Sequence, residues 1–412
     1  MRLNEKIKTV PESGITVKSR VAEYTREHPA ATLIRLDQSL MNMPLPQIVL
    51  DGMMRAVEET GSPFGVKLSG PWSGYDSLKG AISDHYSRIG ADVREGEIFV
   101  TTGLESSHSA LSNLFSAENS VLLPDPCERR LLELQQLKGR SVGFLRGTPE
   151  NGFVPLPDGT GADLIYLASP DPVTGAVLSE ETLKEWVKLA LETDAVILYD
   201  ASLSEYIDEG SAPRSIYAIP GAKNCAMELF SFEKGYGVRE LKIGYVVIPS
   251  TLTRCETRIR DLFAARQPAT ATPPSFVMQT AAELLFSPEA RESTAKLIYR
   301  IKKVARILSD GLTRAGIPHV GGESSPFLWA QCPRGMSGWQ CFDQLLSEAG
   351  LVVTPGSLFG YGGERFIRLT AFGLPEEAEI AAQRLVSLYA EAPKEPLAPP
   401  AADVAARLLK DI

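Results

Sequence analysis

Ser231-Phe-Glu-Lys234 follows a β-rich run and leads into a glycine-rich loop. A lysine three residues beyond a serine, just past a strand, suits a cofactor that carries both an aldehyde and a phosphate. The hydroxyl takes the phosphate while the amine reaches the aldehyde as a Schiff base. Alone, Ser-x-x-Lys is a common pattern, and its plainer reading is a surface lysine in a loop. The surrounding text decides between them.

Ala195-Val-Ile-Leu-Tyr-Asp200 is a strand that ends in an aspartate. A carboxylate there can pair with a protonated pyridine nitrogen and keep the ring of pyridoxal 5'-phosphate an electron sink. A turn or helix-cap aspartate is the alternative. Ser169-Pro-Asp-Pro-Val-Thr-Gly175 is a turn after another strand. Arg368 lies inside the apolar strand Phe366-Ile-Arg-Leu-Thr370. An arginine in that setting needs an anion, either a substrate α-carboxylate or a structural salt-bridge partner.

The 412 residues are 44% hydrophobic and 23% charged, which is ordinary for a globular protein with two sizeable cores. A net charge of −9 gives no electrostatic support for a nucleic-acid or anionic-membrane partner. Apolar runs such as Leu164–Ala168 are too short to span a bilayer, and the charged N-terminus lacks a signal-peptide core. Cys127, Cys225, Cys255, Cys332 and Cys341 have no CxxC spacing and read as reduced thiols of a cytoplasmic protein. The four histidines are scattered, so no metal site is expected.

From about Ile48 the text alternates helical and strand patterns. Leu50–Glu59 and Ser77–Arg88 have helical periodicity, and Glu97–Thr101, Ser120–Pro124, Asp163–Leu167 and Ala195–Tyr199 read as buried strands ending in polar turns. This predicts a doubly wound, mostly parallel α/β domain with ligand residues after the strand ends. A helix over about 289–315, short strands at His319–Val320, Phe327–Gln331 and Phe366–Thr370, and helices at Trp339–Glu348 and Pro375–Tyr389 predict a smaller α+β domain. The expected divisions are 1–46 (arm and small-domain segment), 47–288 (large domain), 289–390 (small domain) and 391–412 (a Pro-rich tether and short terminal helix).

The order of these pieces resembles the class I/II aminotransferases of the PLP-dependent transferase fold, and among them the LL-diaminopimelate aminotransferase group. The matching text includes Thr148-Pro-Glu-Asn-Gly-Phe153, Pro213-Arg-Ser-Ile-Tyr-Ala-Ile-Pro-Gly221, Ser231–Lys234, Leu241-Lys-Ile-Gly-Tyr245, Thr354-Pro-Gly-Ser-Leu-Phe-Gly360 and the Arg368 strand, with agreeing spacing from about Ile34 to Tyr389. The resemblance implies a homodimer with active sites at the subunit interface. It implies that Lys234 is the Schiff-base lysine and proton shuttle, and Asp200 the pyridine-nitrogen partner. Ser231 and the backbone at Gly103–Leu104 hold the phosphate, and Arg368 takes the substrate α-carboxylate. Ser202, Asp171, Glu128 and Lys242 fall at cofactor-contact positions, and Ser39 and Ser324 at substrate positions.

Several positions depart from the family pattern. The asparagine that contacts the cofactor's phenolic oxygen is Pro172, and the tyrosine three residues after the strand aspartate is Leu203. The ring-stacking aromatic is Glu128, the phosphate arginine is Lys242, the partner-subunit tyrosine is Ser69, and the first-strand glycine is Ser39. Glu105 and Glu233 add negative charge near the expected phosphate. The electron sink and the base remain, while the phenolate donors are lost. The first expectation is therefore a repurposed PLP enzyme that diverts an amino-acid carbanion to elimination, replacement or cyclisation. The alternatives are ordinary aminotransfer to a 2-oxo acid, and a non-catalytic aminotransferase-like binding protein.

Overall fold

The computed structural model describes residues 16–38, 44–61, 70–238 and 241–390. Helix α1 (Val17–Glu27) is capped by Thr16 in a reciprocal capping box with Ser19, which satisfies first-turn N–H groups. Strand β1 (Ile34–Arg35) follows, then helix α2 (Gln47–Thr60). Sequence reasoning gives the arm no regular structure; the structure forms α1 within it. Val21 of that helix, with Ile34 and Leu36, packs into the core built by residues 301–389. Contact partners so far downstream leave no local signal.

The large sheet takes α3 (Asp76–Arg88), β2 (Ile98–Thr101), α4 (Leu104–Ser112), β3 (Val121–Asp125), α5 (Arg129–Lys138), β4 (Val142–Arg146), β5 (Leu164–Ala168), α6 (Glu180–Glu192), β6 (Val196–Asp200), β7 (Ala226–Ser231), α7 (Phe232–Gly235) and β8 (Gly244–Val247). Its order is β2-β8-β7-β6-β5-β3-β4, and β8 alone runs against its neighbours in this sheet. Alternate residues enter different cores. Ile165, Leu167, Ile197 and Tyr199 join the cluster with α3 and α6. Leu164, Tyr166, Val196 and Leu198 join the cluster with α4 and α5. Burial on both faces explains the nearly unbroken apolar text of these strands. Glu228 breaks that pattern inside β7. Its carboxylate accepts hydrogen bonds from Tyr86 (2.6 Å), Ser215 (2.8 Å) and the Ile216 N–H (2.9 Å), and burial pushes its pKa up to about 7.

A hairpin of β9 (Thr253–Arg254) and β10 (Thr257–Arg258) leads through α8 (Ile259–Thr270) and α9 (Phe276–Leu284) to the 27-residue helix α10 (Pro288–Arg314). Beyond it lie β11 (His319–Gly321), β12 (Phe327–Gln331), α11 (Gly338–Ala349), β13 (Leu351–Val352), β14 (Thr354–Pro355), β15 (Phe366–Thr370) and α12 (Pro375–Tyr389). The antiparallel order is β11-β12-β15-β14, and β1 pairs in parallel with β13. The expected tether and terminal helix after residue 390 lie outside the described residues, as do Ser39 and Ser69.

Helices α10 and α12 cross at Gly311, where an added Cβ would sit 2.5 Å from Ala382 Cβ. A glycine-to-alanine change inside a helix ordinarily stabilises by about 0.8–1.0 kcal/mol. Here the sign reverses, and Gly311→Ala is expected to lose about 1–3 kcal/mol through overpacking, read as a lower denaturation midpoint.

Candidate active site

The parallel strands end on one edge of the sheet, where open α/β folds leave their binding crevice. Asp200 closes β6, Ser231 closes β7, Glu128 follows β3, and Lys234 stands on the single turn of α7. Arg368 comes from β15 of the smaller sheet and donates through Nη1 to the Pro172 carbonyl at 3.0 Å. Residues far apart in sequence thus meet at one crevice.

Lys234 is not a surface lysine: its side chain is 14% exposed, and Nζ lies 3.1 Å from both carboxylate oxygens of Glu128. Burial pulls this amine down, but the charges of Glu128 and Asp200 outweigh it, so Lys234 is held above the ordinary lysine range. Burial pushes Glu128 up, but Lys234, Arg368 and His108 outweigh it and hold the carboxyl below its ordinary range. The residue at the ring-stacking position is therefore the lysine's counter-ion.

Asp200 accepts from the Ser202 N–H at 2.8 Å and from Tyr166 OH at 3.2 Å. Tyr166 OH in turn lies 3.0 Å from His108 Nε2. Sequence reasoning misses both His108 and Tyr166. Tyr166 has a usable signal: β5 and β6 pair Ala168 with Asp200, and residues 166, 198 and 200 share one face by strand alternation. His108 has none, since it stands on α4, 58 residues from its partner. Burial keeps His108 below the ordinary imidazole range, which favours the neutral ring.

The expected phosphate end has mixed features. Ser231 Oγ is fully buried and has no hydrogen-bond partner among the described residues. The Ser231 N–H donates to Ser202 Oγ at 3.1 Å. Gly103 adopts φ +101° at the N-cap of α4, a conformation open to glycine, and the first-turn N–H groups beyond it have no intrahelical acceptors. Lys242 is committed elsewhere: its ammonium pairs with both oxygens of Glu233 at 2.7 and 2.9 Å. Glu105 likewise pairs with Arg130. Both extra acids thus have partners: Glu233 is buried and needs one, whereas Glu105 and Arg130 pair at the surface.

Arg368 is buried and forms no ion pair with any described residue. Its guanidinium lies over the rings of Phe327 (4.8 Å) and Phe359 (4.4 Å), and Nε has no partner among the described residues. Burial lowers its pKa to about 10 against the opposing charges of Glu128, Asp171 and Asp37. Asp171 is spent inside its own turn, accepting from the Val173 and Thr174 N–H groups and from Thr174 Oγ1. Pro172 offers Arg368 its carbonyl, Leu203 is buried in the core shared by α1, α10 and α12, and Ser324 is half-buried in the bend before β12.

The loop between β14 and β15 carries Phe359 and is fastened to the end of β3. The Gly362 N–H donates to both carboxylate oxygens of Asp125 at 3.1 Å, and the Cys127 N–H donates to the Phe359 carbonyl at 2.8 Å. Gly360 sits at φ +131°, and a Cβ there would collide with Asp125 Oδ1, so the close approach needs glycine.

The family described as "Aminotransferase class I and II" matches residues 33–385. The LL-diaminopimelate aminotransferase of Bacteroides fragilis is 35% identical over 403 residues, covering 93% of this chain and 98% of that protein. That of Lachnospira eligens is 33% identical, covering 94% of this chain and all of its own. The solved L,L-diaminopimelate aminotransferase from Chlamydomonas reinhardtii superposes with a TM-score of 0.88 at 26% identity, over 94% and 99% of the two chains. A double mutant of Thermus thermophilus aspartate aminotransferase, at 21% identity and a TM-score of 0.83, shares the fold.

An arginine with an orphaned donor predicts a measurable anion response. A small dicarboxylate at a hundred times its Kd is expected to stabilise the wild-type chain by about 2.7 kcal/mol. Arg368→Met is expected to abolish that thermal shift; an unchanged shift would place the carboxylate elsewhere.

Proposed function

The chain belongs to the class I and II aminotransferase family and is a pyridoxal-phosphate-dependent enzyme, and from that premise we propose that it passes the amino group of an amino acid to a 2-oxo acid. The observation that carries this reading is the convergence of Lys234, Asp200, the orphaned Ser231 hydroxyl and the orphaned Arg368 Nε on one crevice. The donor set fits the cofactor: Ser231 Oγ and the amides after Gly103 would take its phosphate, Asp200 would pair with its ring nitrogen, and Lys234 would hold its aldehyde carbon. Bound pyridoxal phosphate supplies an electron sink for the pair left when a bond at the substrate α-carbon breaks.

The side chains then divide the work. Arg368 orients the substrate through its α-carboxylate, with two aromatic rings fixing the plane of the guanidinium. Asp200 would hold a proton on the pyridine nitrogen, and Tyr166 and the Ser202 N–H fix its two oxygens. Lys234 Nζ removes and returns the proton at the substrate carbon. LL-diaminopimelate, the substrate in the names of the relatives, is the amino donor placed first. A homodimer with shared active sites, in the cytoplasm, belongs to the same reading.

Elimination, replacement or cyclisation, the first expectation from the sequence, has less support, because the named relatives are aminotransferases. It keeps one specific observation: Pro172 and Leu203 place no side-chain donor where the family has an asparagine and a tyrosine.

The purified chain with added cofactor is expected to absorb in the visible region, and borohydride is expected to fix the cofactor on Lys234. A reducible link that survives in Lys234→Ala refutes the assignment. With LL-diaminopimelate and other amino acids, turnover is expected only when 2-oxoglutarate or another 2-oxo acid is present. Product formed without an acceptor would favour the second reading. Asp200→Asn is expected to lower kcat by at least about a hundredfold, near 2.7 kcal/mol of barrier.

A further inference from the structure

Glu128 occupies the N-cap position of α5, yet its side chain makes no capping hydrogen bond to that helix. Both carboxylate oxygens turn instead to Lys234 Nζ at 3.1 Å. A carboxylate that leaves an available helix N-terminus for a lysine is making a specific choice, since both partners offer positive charge. The pairing spans 106 residues, and each of its ends sits at a strand-end position of the crevice.

We propose that Glu128 is a positioning residue that holds a proton on Lys234, so that the lysine must release this proton before it can attach to the cofactor. The proposal rests on the reading that Lys234 carries the cofactor. Attachment forms a carbon–nitrogen double bond between Nζ and the aldehyde carbon. The aldehyde oxygen leaves as water, and the lone pair that makes the bond exists only on the neutral amine. The extra proton of the ammonium goes to solvent.

The other groups around Lys234 act in both directions. Asp200 at the end of β6 also favours the ammonium, while Arg368 on β15 opposes it. His108 on α4 is pushed toward its neutral form by burial, with Asp200 and Glu128 opposing. Tyr166 on β5 is held well above its ordinary range by burial and the nearby carboxylates, so it stays uncharged. Asp171 in the turn after β5 is raised by burial against its turn hydrogen bonds. Glu233 and Lys242, near the lysine in sequence, neutralise each other. Removing Glu128 leaves burial and Arg368 acting against the ammonium, with Asp200 on the other side. The lysine then becomes neutral at lower pH.

The test uses the full-length chain, stripped of cofactor, and an amine-acylating reagent across a pH series. Modification of Lys234 is read by peptide mass against the half-exposed Lys184 as internal reference. Glu128→Gln is expected to raise relative acylation of Lys234 roughly tenfold or more at about pH 7.5, and to move its midpoint down by at least about one pH unit. Uptake of added pyridoxal phosphate, followed by absorbance, is expected to accelerate in parallel. Glu128→Tyr, which places the family's ring type at this position, is expected to give the same shift, so either variant that folds decides the matter. Profiles that coincide with the wild type overturn the proposal. Failure of the functional reading appears separately, as borohydride fixation at a residue other than Lys234.

Discussion

Burial of the central strands on both faces is the constraint from which the site follows. In β5 and β6 alternate side chains enter two different cores, so neither face offers water to a charge. A carboxylate inside such strands needs its charge answered by hydrogen bonds, and Glu228 shows how: two hydroxyls and a backbone N–H surround it. Ionisable groups meant to remain reactive are instead carried at the strand ends. Asp200, Ser231 and Glu128 all stand there, and α7 ends after one turn with Lys234 at the same edge.

The crevice is then governed by charge pairing more than by shape. Lys234 is answered by Glu128, Lys242 by Glu233, and Glu105 by Arg130. Asp171 is answered by its own turn. What stays unanswered among these groups is Arg368 Nε and Ser231 Oγ. Buried Tyr199 OH, Trp329 Nε1 and Thr370 Oγ1 also lack partners among the described residues, but the orphans on Arg368 and Ser231 stand with Lys234 and Asp200, where groups from outside can be received. One suits a carboxylate and the other a phosphate, which is the division of labour expected for an amino acid bound beside its cofactor.

Much of this is legible in the sequence, for identifiable reasons. Strands such as Asp163–Leu167 and Ala195–Tyr199 announce themselves because two-sided burial writes continuous apolar text. Lys234, Asp200, Ser231 and Arg368 stand out because each interrupts, ends or follows such a run. Glu128 is visible as a departure, but its partner is not, because the ion pair closes over 106 residues. The same holds for His108 and Tyr166, which reach Asp200 only through the register of β5 on β6 and the packing of α4. Helix α1 escapes a local reading because its apolar face is completed by the far end of the chain. Position alone makes Lys242 a phosphate ligand, and the neighbouring Glu233 changes what that position holds.

The fastening of the β14–β15 loop to Asp125 and Cys127 has a mechanical consequence. Phe359, one of the two rings that frame the Arg368 guanidinium, hangs from the same short backbone stretch that presents Glu128. Arg368 is itself tied to the Pro172 carbonyl, beyond β5. Its strand is part of the small sheet, yet its side chain takes its bearings from the large one. The arginine and the lysine thus both take their positions from the strand ends of the large sheet. On the proposed reading, this shared anchor sets the distance between the group that would grip the carboxylate and the amine that would work on the adjoining carbon.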